Sequence, residues 1–209
     1  MRDLGLIGYV EAVALQERLA ADRLVGAVPD TLLLLEHPPV ITLGRRGTMA
    51  DVLVSEELLA RKGVEVQRSS RGGLVTYHGP GQLVGYPIVH LREAGLTIPE
   101  YASRLQRAVI AALAEIGVEA WTDSAHVGVW TERGKIAAVG IAQRRGVAMH
   151  GFAVNLQPDM SHFQLIDPCG IGELGVTSAE QILGEPVDVP EFKERVAGAV
   201  AEELRLALG

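Results

Sequence analysis

The chain has a single cysteine among its 209 residues. One thiol closes no internal disulfide and builds no structural zinc site, so the core must hold the fold, and the thiol is left for chemistry or for burial as a small apolar group. There is no apolar run approaching the roughly 18 to 20 residues of a membrane span. The opening Met1-Arg2-Asp3-Leu4-Gly5-Leu6 has neither a charged-then-apolar signal pattern nor an Arg/Ser-rich transit pattern. Residence in the cytoplasm is the expectation, with no membrane partner. Positive charge is also short: 19 Lys and Arg face 26 Asp and Glu, for a net charge of −7. A nucleic-acid partner, which needs a basic footprint to displace counterions, is therefore not expected. His37, His90, His126 and His162 show no metal-ligand spacing, and no metal is predicted. Repeats, low-complexity stretches and linkers are missing too, so residues 1–209 read as one domain.

What is present is apolar content of 48%, enough at this length to bury about 70% of the unfolded surface. Periodicity predicts a helix over Tyr9 to Leu24. Short buried strands follow at Thr31 to Leu35 and Val40 to Leu43. Thr97-Ile98-Pro99-Glu100 is a capping box, and Tyr101, Leu105, Ala108, Val109, Ala112, Leu113 and Ile116 then share one helical face that ends near Gly117. Val127 to Trp130, Lys135 to Ala142 and Val147 to Asn155 read as an antiparallel meander. A last helix is predicted from Pro190 to Leu206, with Phe192, Val196, Val200 and Leu204 inward. The fold class is α/β in the α+β sense: a mixed, largely antiparallel sheet flanked by helices.

Glycine is in excess, 24 of 209 residues, without a collagen-like period. Four of them crowd into Arg71-Gly72-Gly73-Leu74-Val75-Thr76-Tyr77-His78-Gly79-Pro80-Gly81-Gln82. There they permit either an ordinary hairpin or close approach of backbone amides to a ligand. The segment lacks the Gly-Lys-Ser/Thr of a phosphate loop and opens no helix, so it gives no support to nucleotide binding. Downstream come Gly134-Lys135-Ile136-Ala137-Ala138-Val139-Gly140, then His150-Gly151-Phe152-Ala153-Val154-Asn155, then Asp167-Pro168-Cys169-Gly170. Strand alternation places Ala138 and Gly140 on one face and Lys135, Ala137 and Val139 on the other.

These four segments together resemble lipoyl(octanoyl) transferases, over a stretch from Glu36-His37-Pro38-Pro39 to Gly175-Val176-Thr177-Ser178. Ala125-His126-Val127-Gly128 departs from the Pro-Gly pair usual in that family, and Ala148-Met149 stands where hydroxyl and aromatic residues are common. The resemblance implies a fold shared with lipoate and biotin protein ligases. It implies an octanoyl group carried as a thioester on Cys169, with Lys135 as that cysteine's partner. It also implies an acyl pocket formed by Arg71, Gly72, Gly73, Leu74, Val75, Thr76, Tyr77, His78, Ala138, Val139, Gly140, Gly151, Phe152 and Ala153. The implied donor is octanoyl-acyl carrier protein, which holds the acyl group on its phosphopantetheine. The implied acceptors are lysines of the lipoyl domains of 2-oxoacid dehydrogenases and of glycine cleavage H protein, the transfer being the first step of lipoylation from endogenous fatty acid synthesis. No cofactor and no ATP are implied, and a monomer is expected.

Residue chemistry is compatible with this. A thiol of pKa near 8.5 is only about 3% thiolate at pH 7, and a neighbouring cation that lowers it by ~2 units raises that to roughly three quarters. Lys135 is a candidate cation, although a lysine opening a strand after a turn also reads as a solvated one. The acceptor amine must lose a proton at a cost of about 4 to 5 kcal/mol at pH 7, and Lys135, His78 and His150 are the candidates to take it. Arg45, Arg46, Arg68, Arg71, Lys135, Arg144 and Arg145 fall within or beside the motif segments, a local reversal of charge that suits an acidic donor or is simply solvated.

Overall fold

The computed structural model describes residues 1–167 and 175–205. The main sheet has seven strands in the order β1 (Arg2–Leu6), β2 (Thr31–Glu36), β6 (Gln82–Ile88), β10 (Val147–Asn155), β9 (Gly134–Arg144), β8 (Val129–Thr131) and β7 (Trp121–Thr122). β1 runs parallel to β2, and every other neighbouring pair is antiparallel. A second sheet of three strands, β4 (Glu65–Arg68), β3 (Val40–Leu43) and β5 (Val75–His78), stands apart from it.

Alternation along β2 shows how the main sheet divides the core. Leu32 and Leu34 enter one apolar cluster and Leu33 and Leu35 the other, all four fully buried, as a strand covered on both faces requires. The first face is covered by α3 (Ile98–Glu115) and α5 (Val189–Leu204), the second by α1 (Tyr9–Leu24). Helix α3 starts where the capping box places it. Glu100 Oε2 accepts from the Thr97 amide at 2.9 Å, and Thr97 Oγ1 accepts from the Glu100 amide at 3.4 Å. Its buried stripe of Tyr101, Leu105, Ala108, Val109, Ala112 and Leu113 meets Phe192, Val196, Val200 and Leu204 of α5. Each large side chain in that seam contributes roughly 1.5 to 3 kcal/mol, and Leu105→Ala would cost about 2 to 5 kcal/mol through the cavity it leaves.

The predicted strands and long helices match these elements, with α5 reaching Leu204 and its foreseen end at Leu206 lying outside the described residues. Sequence patterning did not resolve β1, the small sheet as a separate body, α2 (Glu56–Arg61) or α4 (Ala179–Leu183). The small sheet has its own core of Ile41, Leu43, Val75 and Tyr77, closed by Leu165 and Ile166 from the end of a short 3-10 segment. Among the described residues no helix is long and apolar enough to cross a membrane.

Candidate functional site

Between the two sheets lies a cavity of about 340 Å³, within the size range of small-molecule sites. One wall is the glycine-rich loop. Gly44, Arg45 and Arg46 amides donate to the carbonyls of Leu74, Arg71 and Gly73, and the Gly72 amide donates to Ile141 O of β9, so the loop is fastened to both sheets. The opposite wall is β9 and β10, where Ala137, Ala138, Gly140, Gly151 and Ala153 offer little side-chain bulk. Gly85 lets the two central strands close over this wall: a β-carbon there would lie 2.1 Å from the Phe152 ring.

Arg71 is the cation built into the wall. Only 8% exposed, it donates through Nη2 to Thr42 O at 2.6 Å and Thr42 Oγ1 at 2.9 Å, and through Nη1 to Gly72 O at 3.0 Å. Beside it His78 and His150 line the cavity, and a third buried imidazole, His37, packs edge-on against His78 with ring centroids 5.7 Å apart. His37 donates through Nδ1 to Ile7 O at 2.8 Å, so its Nε2 must accept from the Tyr86 hydroxyl at 2.9 Å. Burial pushes His37 down to about 4 and, with the Arg71 charge adding, His150 to about 4. Burial, reinforced by repulsion from His37 and His150 whenever those rings are protonated and by the Arg71 charge, drives His78 well below the usual imidazole value. All three are neutral at pH 7. Burial likewise raises the Tyr9 and Tyr86 phenols, so the cavity carries hydrogen-bonding but uncharged rings beside the Arg71 guanidinium. His150 is held in the left-handed region at φ 58 by its amide bond to Gln16 Oε1 (2.7 Å). Its Nε2 lies 2.9 Å from Ser70 Oγ. A non-glycine residue in that conformation is strained, and such strain concentrates at functional sites.

Lys135 lines this cavity at a break in strand regularity. Strict alternation would set it with Ala137 and Val139. Instead the register between β8 and β9 shifts, Val129 pairing with Ala137 but Trp130 with Lys135. Ile136 and Ala137 are both packed in the first core cluster, and Lys135, Ala137, Ala138, Val139 and Gly140 all line the cavity. The lysine Nζ lies 5.4 Å above the Trp130 ring centroid. On its backbone, Lys135 N donates to Gly175 O at 3.1 Å and Lys135 O accepts from Thr177 N at 3.0 Å. The chain thus leaves the described structure at Asp167, whose amide is bound to Asp51 O, and returns at Gly175 against Lys135. Cys169 lies outside the described residues.

Of the residues expected to form the pocket, Arg71, Gly72, Gly73, Leu74, Val75, Thr76, His78, Ala138, Val139, Gly140, Gly151, Phe152 and Ala153 line the cavity. Tyr77 is turned away: its ring sits in the core of the small sheet and its hydroxyl meets His162 Nδ1 at 2.7 Å. Alternation along β5 explains this, since Thr76 and His78 face the cavity and Tyr77 faces the opposite side. The cavity also takes in Tyr9, Gln82, Tyr86 and Asn155, which the motif reading did not single out. Gln82 and Asn155 closed two of the motif segments and carried a signal; Tyr9, at the start of an ordinary amphipathic helix, carried none. Among the described residues no cluster of His, Cys, Asp or Glu is arranged to hold a metal.

A fold of this topology, with a small-residue cavity between a glycine-rich loop and a central hairpin, defines a catalytic-domain class, and residues 8–201 match the family described as the lipoyl protein ligase A/B catalytic domain. The chain belongs to that family and, within it, to the lipoyl(octanoyl) transferases. It is 47% identical over 196 residues to the octanoyltransferase of Syntrophotalea carbinolica, covering 94% of this chain and 90% of the relative. To the octanoyltransferase of Pelobacter propionicus it is 45% identical over 198 residues, 95% of this chain and 91% of the relative. The fold is shared with a bi-partite lipoate protein ligase from Thermoplasma acidophilum, at a TM-score of 0.74, 16% identity and coverage of 100% and 86% of the two chains. It is shared also with the biotin protein ligase of Aquifex aeolicus in complex with biotin and ATP, at a TM-score of 0.59, 16% identity and coverage of 98% and 69%.

Proposed function

We propose that the chain moves an octanoyl group from octanoyl-acyl carrier protein to a lysine amine of lipoyl domains through a thioester on Cys169, in the cytoplasm, as a monomer, without ATP or a metal. The observation that carries this reading is Lys135 at the cavity wall, its backbone paired with the segment that follows Cys169 in the chain. In the proposed first half-reaction the Cys169 thiolate, paired with protonated Lys135, attacks the thioester carbonyl of the donor. The carbon–sulfur bond to phosphopantetheine breaks, and the departing thiolate takes the proton from Lys135. In the second, a deprotonated acceptor amine attacks the new thioester, its surplus proton passes to the now neutral Lys135, and the Cys169 thiolate leaves.

Thioester for thioester is nearly isoenergetic and the amide product is more stable, so no external energy source is needed. His78 and His150 are weaker candidates for the proton, because burial holds His150 down to about 4 and drives His78 well below the usual imidazole value, and both lie far under an amine near 10.4. Arg46 at the cavity lining, with Arg45 and the Arg144-Arg145 turn, is assigned to docking the acidic donor, and 2-oxoacid dehydrogenases and glycine cleavage H protein supply the acceptor domains.

Incubation with octanoyl-acyl carrier protein and no ATP should add one octanoyl group to the intact mass, mapped to Cys169. The adduct should disappear when a lipoyl domain is added, and Cys169→Ala should abolish both. Full activity of Cys169→Ala, or a strict need for ATP, would replace this reading with an adenylate-forming ligase. Binding of the acyl donor without turnover would replace it with a carrier-binding module.

A further inference from the structure

Gln82 and Asn155 face each other across β6 and β10 and are only 2% and 4% exposed. Gln82 Nε2 donates to Tyr77 O at 3.1 Å and to Asn155 Oδ1 at 2.9 Å, which uses both amide hydrogens. Its Oε1 must then accept, so the contact of 2.6 Å with His78 Nδ1 is a donation from the imidazole. His78 is thereby fixed as the Nδ1–H tautomer. Asn155 Nδ2 in turn donates to Thr177 O at 3.0 Å. From His78 to Thr177 every donor points the same way, so each bond polarises the next. The chain of amides ends on the residue whose own amide donates to Lys135 O.

An apolar pair would pack β6 on β10 without desolvating four polar groups. The amide pair does something an apolar pair cannot: it reaches out of the sheet and grips the backbone of 175–177, which among the described residues pairs with the sheet only as an isolated bridge at Lys135. We infer that Asn155 is a positioning residue, holding 175–177 against Lys135 and so setting the lysine relative to the chain that arrives from Cys169. This rests on the proposed pairing of Lys135 with Cys169. Asn155 takes no part in bond making.

The test uses Asn155→Leu, nearly isosteric and uncharged, with Lys135→Met as the reference. Cys169 is the sole thiol, so the pH profile of its alkylation by iodoacetamide reads its thiolate directly. Asn155→Leu should lower kcat of octanoyl transfer about tenfold or more. It should also move the alkylation inflection upward, toward the ordinary thiol value near 8.5, in the same sense as Lys135→Met. A role in packing alone would lower Tm and leave the inflection in place. If Lys135→Met shifts the inflection and folded Asn155→Leu does not, the positioning role is overturned while the functional reading stands. Should Lys135→Met itself leave the profile unchanged, the functional reading fails and this inference with it. If circular dichroism shows Asn155→Leu to be unfolded, Asn155→Ser, whose hydroxyl is too short to reach Thr177 O, gives the same readings.

Discussion

Lys135 passes directly over Gly128: a β-carbon on that glycine would stand 2.4 Å from Lys135 Cε and 3.1 Å from its Nζ. The same β-carbon would lie 2.7 Å from Ala137 O, and Gly128 has φ 140, where a side chain is strained whatever the space. Gly128→Ala should therefore displace the lysine head. A misplacement of about 1 Å can cost on the order of a hundredfold in rate, and a loss of that order in octanoyl transfer is expected with secondary structure retained by circular dichroism. Transfer within a factor of two of the parent would show that the lysine's path past Gly128 is immaterial.

How far the site could be read from the chain depends on whether local pattern or tertiary contact places each residue. The capping box at Thr97 and Glu100, the stripe of α3 and the meander of β8 to β10 are local, and they formed as patterned. The cavity lining from Arg71 to Thr76 came from a motif rather than from periodicity, and that is also why Tyr77 was carried into the pocket with it. Counting alternation inside β5 separates Tyr77 from His78. The irregularity at Lys135 was not legible, because the register shift opposite Val129 and Trp130 is decided by the partner strand. Nor was the assembly of His37, His78 and His150, which come from three separate regions and meet only through tertiary folding.

The small residues of β9 predict a second behaviour. Ala138 lines the cavity beside Gly140, where a β-carbon would stand 3.0 Å from Arg71 Cδ, so the space across from the guanidinium is already narrow. Ala138→Leu should fill part of the acyl volume. One methylene in a hydrophobic pocket discriminates by roughly 10- to 200-fold, so the variant should lose octanoyl transfer by at least about tenfold while shorter acyl donors are affected less. Competition between octanoyl and butanoyl carrier protein, scored by product mass, measures this. An unchanged preference would place the acyl chain elsewhere in the cavity.

The buried imidazoles predict how stability depends on pH. His37 and His150 sit at about 4 in the folded chain against about 6.5 when unfolded, and His78 is shifted in the same direction. Between those values the unfolded chain binds more protons than the folded one, so stability is complete above about 6.5 and falls as pH drops toward about 4. Each histidine contributes up to about 1.4 kcal/mol per pH unit within that window, and His37 and His150 on the order of 3 kcal/mol apiece by its lower end. That is a large share of the 5 to 15 kcal/mol typical of a domain. The exposed carboxylates Asp123 and Glu100, held below their ordinary values by hydrogen bonds, begin to matter only under about pH 4. Urea unfolding from pH 8 to pH 4.5 should thus show a flat midpoint down to about 6.5 and a steep decline below it. His150→Gln should reduce the slope of that decline by about one proton's worth. A midpoint that stays level to pH 5 would mean that the three imidazoles protonate in place, and the neutral state assigned to these rings would be wrong.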